Sequence, residues 1–310
     1  MLVIIGPVLL VGALAVPPQT LQIPILYSDD RKTPEVSISI LHPFLESKRF
    51  GLTMADGTLF EWGEGRGDLD SVNPAVLQFP DTLGSELLTY WDSSVVYHRN
   101  DAGWFLGIGP DSSLVRRFGA VNIMRGVITE PFERKDRLVV GLSLHEFASL
   151  CSGEFMSVPL IWSADFSGSV YAKANLFIPI QGGVVSSPID VSLQGFEKVR
   201  LTRLIADHIA STLIGLGGIA TSDRYTFTNC IPDLVAQLPS VTVESQTTKA
   251  GEAVSMAFTP ADYLILEEDT STCRIIAAGD DSDLLGINPL LFPEVNLRIT
   301  KSRLKICNAI

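Results

Sequence analysis

The chain has few of the residues from which metal centres and catalytic sites are usually built. Its 310 residues include four cysteines and four histidines. The cysteines form no Cys-x-x-Cys pair, and no histidine stands at metal-ligand spacing from any of them. No Gly-x-Ser-x-Gly turn is present, and the glycine-rich residues 215–218 lack the lysine and the following helix of a phosphate loop. The sequence therefore predicts neither a metal site nor a cofactor.

Positive charge is also scarce. The chain carries 23 lysines and arginines against 35 acidic residues, which gives a formal net charge of −12. Nucleic acids and anionic lipids select for clusters of basic residues, so we expect neither as a partner. The apolar residues 1–16 are too few to span a membrane comfortably, and no membrane span is expected. Hydrophobic residues make up 46% of the chain, which is enough for a sizeable core.

Almost all of the sequence pattern is that of β-strands. Short apolar runs alternate with clusters of Gly, Pro, Asp and Ser, which is typical of many short antiparallel strands. Two helices are predicted, a longer one over residues 201–215 with Leu204, Ile205 and Leu213 on its apolar face, and a shorter one over residues 112–118. The predicted fold class is therefore all-β. Strands are predicted over residues 21–26, 36–41, 121–128, 138–144, 158–162, 170–180, 241–244 and 295–299.

Several short motifs follow one another in a particular order. Residues 16–19 read Val-Pro-Pro-Gln, and an alternating apolar strand follows them. Further along come Gly-Trp-Phe-Leu-Gly-Ile-Gly at residues 103–109 and Gly-Glu-Phe-Met-Ser-Val-Pro-Leu at residues 153–160. Phe-Thr-Pro-Ala-Asp-Tyr stands at residues 258–263, between two cysteines, and Leu-Leu-Gly at residues 284–286. In order and spacing these motifs resemble the pepsin-type aspartic endopeptidases.

The resemblance implies a bilobal β fold with a few short helices. The N-terminal lobe is expected over residues 16–165 and the C-terminal lobe over residues 166–310. Two interpretations stay open for residues 1–15. They carry no charged side chain and end in Ala13-Leu14-Ala15, like a signal peptide with its cleavage site. In the pepsin family, however, the residues just before Pro-Pro-Gln form a buried strand.

The resemblance also implies a pairing of the cysteines. Cys230 is expected to pair with Cys273 inside the second lobe, and Cys151 with Cys307 across the sheet that joins the lobes. Two disulfides fit an oxidising compartment, so we expect a secreted, extracellular or vacuolar monomer. Four buried free thiols in a cytosolic protein are the alternative that composition alone leaves open.

The sequence departs from the family at the catalytic residues. Each lobe of such an enzyme supplies one aspartate from an Asp-Thr-Gly or Asp-Ser-Gly turn, and the two carboxylates share a proton. This chain contains neither motif. Counting from Gln19 places Leu26 and Tyr27 on the first Asp-Thr positions, and leucine cannot ionise. Slipping the register to Asp29 or Asp30 breaks the Pro-Pro-Gln spacing.

Two registers compete for the aspartate of the second lobe. Anchoring on residues 187–193 places Asp190 there, with Val191 and Ser192 where Thr-Gly belongs. Anchoring on residues 201–204 places Phe196 there instead. Asp190 is the preferred candidate, but in neither register is the motif complete.

Residues 60–67 resemble the hairpin flap that covers the cleft in this family. Trp62 falls on the position of the flap tyrosine, where it would keep an aromatic lid but change its hydrogen bonding, because indole donates and does not accept. Alternatively, Trp62 packs on its own lobe. Tyr27 and Trp62 are therefore the predicted cleft and flap residues.

The sequence thus predicts a pepsin-like pseudopeptidase that binds a polypeptide or protein partner between its lobes without cleaving it. The alternative is a divergent aspartic endopeptidase, active at acidic pH, in which Asp190 meets Asp29 or Asp30. A purely structural protein is the third hypothesis.

Overall fold

The computed structural model shows a protein built mainly of β-strands, which confirms the all-β prediction. The strands are joined by short turns and a few short helices. The structure describes residues 20–27, 33–42, 44–54, 59–61, 75–80, 88–92, 104–130, 133–162, 170–180, 183–193, 197–245, 255–267, 271–277 and 284–310.

The elements are named in chain order. Those up to residue 140 are β1 Leu21–Pro24, β2 Leu26–Tyr27, β3 Pro34–His42, β4 Phe44–Thr53, β5 Leu59–Glu61, β6 Ala75–Phe79, β7 Leu88–Asp92, β8 Trp104–Gly107, α1 Ser113–Phe118, β9 Ala120–Glu130 and β10 Glu133–Val140. Those that follow are α2 Leu144–Ser149, β11 Cys151–Pro159, β12 Ile161–Trp162, β13 Val170–Ile180, β14 Gly183–Ser192, β15 Val199–Arg200, α3 Arg203–Gly215, β16 Ile219–Ala220, β17 Thr226–Thr228, α4 Pro232–Val235, β18 Val241–Ser245, β19 Ser255–Phe258, α5 Pro260–Tyr263, β20 Leu264–Glu267, β21 Thr272–Ile275, β22 Leu285–Ile287, a 3-10 turn at Pro289–Leu291, β23 Val295–Thr300 and β24 Arg303–Ala309.

Two seven-stranded sheets repeat the same topology. The first sheet has the order β5-β8-β4-β3-β6-β7 with β2 beside β3, and the second sheet has the order β15-β22-β14-β13-β18-β19 with β12 beside β13. Their strand directions match as well. The pairs β4–β8 and β14–β22 are parallel, and the other neighbouring strands of both sheets are antiparallel. The two sheets are therefore topologically equivalent.

A central sheet of six strands takes its members from the beginning, middle and end of the chain. Its order is β1-β10-β9-β23-β24-β11. One face of the central sheet is buried in the main hydrophobic core, which also contains residues of the first and second sheets. The core is thus continuous across the three sheets. Strands β16-β17-β21-β20 form a small sheet beside the second sheet.

Both disulfides have the pairing that the resemblance implies. Cys151 is joined to Cys307, with 5.5 Å between their Cα atoms, and Cys230 is joined to Cys273, with 5.8 Å between theirs. The first bond ties the beginning of β11 to the end of β24 in the central sheet. No cysteine is left as a free thiol, which is typical of proteins from oxidising compartments.

Both predicted helices are confirmed. The hydroxyl of Thr202 accepts a hydrogen bond from the Ile205 N–H and caps α3, and Ser112 caps α1 in the same way. The predicted apolar face of α3 is wrong at Leu204, which is 69% exposed. The buried face of α3 includes two small residues, Ala206 and Ala210, in its place. No helix among the described residues has the length and apolar character that crossing a membrane requires.

The strand predicted over residues 138–144 ends early, at Val140. Gly141 has a φ of 80°, which turns the chain away from the strand direction. Ser143 then forms a capping box with Glu146 and begins α2. Local capping therefore overrides the apolar pattern here.

Gly51 allows β4 and β8 to pack closely. A Cβ atom at this position would lie 2.9 Å from the Phe105 ring and 3.1 Å from Cγ2 of Thr33. We expect Gly51→Ala to lower the free energy of unfolding by about 1–3 kcal/mol, because the ring must move. Urea unfolding of the oxidised protein measures this change.

Gly183 provides the matched control, since no atom lies within 4 Å of a Cβ placed there. Gly183→Ala should leave the unfolding midpoint unchanged or raise it slightly. A Gly51→Ala variant as stable as the wild type would contradict the close packing of β4 on β8.

Candidate functional site

The first and second sheets each carry a turn at the same place, the end of a parallel strand pair. In the first sheet, β4 ends at Thr53 opposite Gly107 of β8, and the chain returns as β5 on the other side of β8. In the second sheet, β14 ends at Ser192 opposite Gly286 of β22, and the chain returns as β15 on the other side of β22. We name residues 54–58 the first turn and residues 193–198 the second turn.

A small cavity lies between the end of β4 in the first sheet and the chain just after β22 in the second sheet. Its volume is about 10 Å³, which is close to the space that one water needs. Thr53 borders it from the first sheet, and Asn288 borders it from the chain after β22. The Asn288 N–H also donates to the carbonyl of Lys198, at 3.0 Å, at the end of the second turn. The end of β4 and the chain after β22 therefore border the same cavity, and the chain after β22 is also bonded to the end of the second turn.

The residue that begins each turn is apolar and buried. Met54 is 1% exposed in the first turn, and Leu193 is 5% exposed in the second. Neither side chain can ionise, so neither can supply a catalytic carboxylate. Residues 55–58 and 194–196 lie outside the described residues; their sequences are Ala-Asp-Gly-Thr and Gln-Gly-Phe.

Leu26, predicted at the first catalytic position, does not lie at the end of the parallel strand pair. Leu26 lies in β2 and pairs with Glu35 of β3, away from the parallel strand pair. The strand β8, which belongs to the Gly-Trp-Phe-Leu-Gly-Ile-Gly motif, lies between β4 and β5. Leu26 is away from this pair because the β3–β4 hairpin follows β2 before the chain reaches the first turn. The sequence signal for the first turn was the dipeptide Asp56-Gly57, because Asp-Gly between two apolar runs is typical of a turn.

Tyr27 is half-buried in a polar cluster. Its hydroxyl donates to the Asp136 carboxylate, and the Arg125 guanidinium donates to the Tyr27 hydroxyl and, at 2.9 Å, to Asp136. Burial raises the pKa of Tyr27, the positive charge of Arg125 lowers it, and the hydrogen bond to Asp136 raises it. The net result is a pKa well above the usual range. Tyr27 thus holds β2 against the central sheet as a neutral phenol.

Asp190 lies inside β14 and not in the second turn. It is opposite Lys173 of β13 and is exposed, whereas the next residue, Val191, is 2% exposed. Because successive residues of a strand point to opposite faces, the Asp190 side chain points away from the core that buries Val191. This placement argues against a catalytic Asp190. The other candidates Asp29, Asp30, Trp62 and Phe196 lie outside the described residues.

Charged contacts fix the end of the second turn. Glu197 accepts a hydrogen bond from Arg200 at 2.7 Å. The Lys198 ammonium lies 2.6 Å from an Asp262 oxygen and 4.5 Å from the centre of the Phe292 ring. Burial raises the pKa of Asp262, but hydrogen bonds from Lys198 and from the Thr259 backbone and hydroxyl outweigh it, so this pKa lies below its usual value. Lys198 therefore ties the second turn to α5.

A groove of about 220 Å³ opens beside the second turn. This volume is below the roughly 300–1,000 Å³ of pockets for drug-sized ligands, so the groove suits a side chain better than a cofactor. Its surface combines apolar, acidic and basic groups. The lining residues are Glu197, Asp223, Tyr225, Ile265, Arg274, Ile275, Ile276 and Ala277.

In the part of the chain that the structure describes, no three His, Cys, Asp or Glu side chains are grouped as metal ligands. No model of a known protein family matches this chain, and no curated protein matches it either. The fold and the geometry of the two turns are therefore the basis for the functional interpretation.

The contact between Lys198 and Asp262 predicts a pH-dependent stability. A carboxyl group whose pKa is lower in the folded state stabilises the fold above its unfolded pKa of about 3.9 and loses this effect as the pH falls through the folded value. We expect Asp262→Asn to lower the free energy of unfolding by about 1–2 kcal/mol at neutral pH. The difference from wild type should shrink as the pH falls below about 4.

Urea unfolding of both proteins across this pH range measures the difference. Glu294→Gln is the control, because Glu294 is exposed and should change the stability little at any pH. A difference between Asp262→Asn and wild type that stays constant down to strongly acidic pH would contradict the assigned role of the carboxylate.

Proposed function

We propose that this chain has a pepsin-like bilobal fold. The first sheet would form the N-terminal lobe, over residues 16–165, and the second sheet the C-terminal lobe, over residues 166–310. The repeated topology of the two sheets, the cavity that the end of β4 and the chain after β22 border together, and the order of the sequence motifs support this proposal. In such a fold one turn from each lobe would supply one group of a two-residue centre.

We also propose that the protein binds a polypeptide in the cleft between these lobes and does not cleave it. The observation that carries this proposal is the pair Met54 and Leu193, which puts buried apolar side chains at the start of both turns. Two carboxylates about 3 Å apart must share a proton for the aspartic peptidase mechanism. The groove beside Glu197 offers apolar and charged groups to the side chains of a bound polypeptide. The two disulfides are compatible with a secreted or extracellular location.

An active peptidase is the second candidate. Each turn contains one carboxylate in its sequence, Asp56 in the first and Glu197 in the second. The Glu197 carboxylate, however, is already hydrogen-bonded to Arg200. The pseudopeptidase is therefore the better supported function.

Incubation with unfolded casein in mildly to strongly acidic buffer tests the absence of catalysis. We expect no cleavage that pepstatin inhibits, because the shared-proton pair is missing. Pepstatin-sensitive cleavage would contradict the proposal. If it occurs, Asp56→Asn and Glu197→Gln show whether these two carboxylates carry it.

Binding is tested separately, with fluorescently labelled lysozyme that has been reduced and alkylated so that it stays unfolded. Ile265 lines the groove and is 39% exposed, so Ile265→Glu should fold and weaken binding about tenfold. Ile219→Glu is the matched control, because Ile219 is exposed at the opposite edge of the small sheet. Equal affinities of the two variants would exclude the groove as the binding site.

A further inference from the structure

The face of the central sheet that points away from the main core carries a cationic patch, formed by Arg298 of β23 with Arg303 and Lys305 of β24. Arg298 is directly opposite Lys305 in the β23–β24 register. Residues that face each other across two strands, or stand two apart on one strand, project from the same face. All three side chains therefore share the outer face. The alternate residues on these strands are buried in the main core: Leu297, Ile299, Leu304 and Ile306.

Neighbouring strands hold two of these cations in place. Arg298 donates through Nη1 to Asn122 Oδ1 at 2.9 Å and to the carbonyl of Leu142 at 2.7 Å. Arg303 donates through Nη1 to Ser157 Oγ at 3.0 Å. Because these contacts fix the side chains, less conformational entropy is lost when an anion binds.

The three cations are close enough to affect one another. Burial lowers the pKa of Lys305, and the charges of Arg303 and Arg298 lower it further. Glu146 of α2 is an acidic neighbour that acts on Arg298, and its carboxylate already accepts a hydrogen bond from the Ser143 N–H at 2.7 Å. Such a concentration of positive charge contrasts with the net charge of −12 of the whole chain.

Exposed leucines stand next to the patch. Leu144 is 42% exposed and Leu150 is 40% exposed, at the two ends of α2. Arg298 contacts the chain just before α2 through the Leu142 carbonyl, and Asn296 donates to the Leu150 carbonyl at 2.9 Å. Strand β11, which carries Ser157, is the last strand of the central sheet on this side. The surface thus combines fixed cations, apolar side chains and a strand at the sheet edge.

We propose that this patch binds a short acidic segment of a partner polypeptide, with apolar residues beside its carboxylates. The cations complement the carboxylates, and the leucines favour a polypeptide over a sulfated glycan or a nucleic acid. The acidic remainder of the protein would repel a long polyanion that extends beyond the patch. A short segment is attracted by the patch and is little repelled, because salt screens charges beyond about 8 Å. An extended segment can add to β11 through its backbone. This site is separate from the groove of the proposed function.

Fluorescence anisotropy with a labelled peptide of sequence Asp-Leu-Glu-Ser-Leu-Glu-Asp tests the proposal. The wild-type protein should bind this peptide. The neutral peptide Asn-Leu-Gln-Ser-Leu-Gln-Asn should bind at least tenfold more weakly, because roughly two ion pairs no longer contribute to the binding free energy. Arg303→Ala combined with Lys305→Ala should also weaken binding about tenfold. Added salt should weaken binding to the wild type more than to this double variant.

Arg49→Ala is the matched control, because Arg49 is an exposed arginine on β4 and should leave the affinity unchanged. Thermal unfolding verifies that the double variant is folded, and Arg303→Ala alone replaces it if it is not. The proposal is overturned if the wild type binds the acidic and neutral peptides equally, or if the folded patch variant binds like the wild type. Binding of heparin without binding of the acidic peptide would overturn the assignment to a polypeptide.

Discussion

The buried guanidinium of Arg125 connects three parts of the fold. Arg125 is 6% exposed and lies on β9 of the central sheet. It contacts Tyr27 at the edge of the first sheet, Asp136 on the neighbouring strand β10, and the carbonyl of Leu290, just after β22 of the second sheet, at 2.6 Å. Removing one partner of a buried charge pair typically costs about 3–5 kcal/mol, since the remaining charge has no counterpart. This one side chain therefore links the first and second sheets to the central sheet, in addition to the apolar core that the three sheets share.

The first and second sheets share a topology and pack on the same central sheet. The end of β4 and the chain just after β22 border one small cavity between them. The proposed absence of catalysis rests on Met54 and Leu193, which are buried and apolar where β4 and β14 end. The scaffold would then hold a polypeptide on its cleft side, while the cationic patch on the outer face of the central sheet would contact a second, acidic partner.

The sequence predicted the strands, the two helices and the cysteine pairing well, because these follow from local periodicity and from motifs that keep their order. A short motif does not by itself fix a register over a distance: Pro-Pro-Gln suggested Leu26 as the first catalytic position, and the β3–β4 hairpin lies between Leu26 and the first turn. The prediction for Leu204 was wrong, because alanines on α3 supply the buried face. The alternation of Arg303 and Lys305 with Leu304 and Ile306 could have revealed two members of the patch. The third, Arg298, depends on the β23–β24 register, which local sequence does not determine.

Disulfide trapping tests most directly whether the end of β4 in the first sheet lies against the chain after β22 in the second sheet. Thr53 and Asn288 border the same small cavity from the first and second sheets, and the native cysteines are all paired. Thr53→Cys combined with Asn288→Cys should therefore form a third disulfide under mild oxidation, identified by peptide mapping, because a disulfide requires Cα atoms within about 7 Å. If both new thiols stay free in the folded protein, these two segments do not meet and the account of the cleft is wrong.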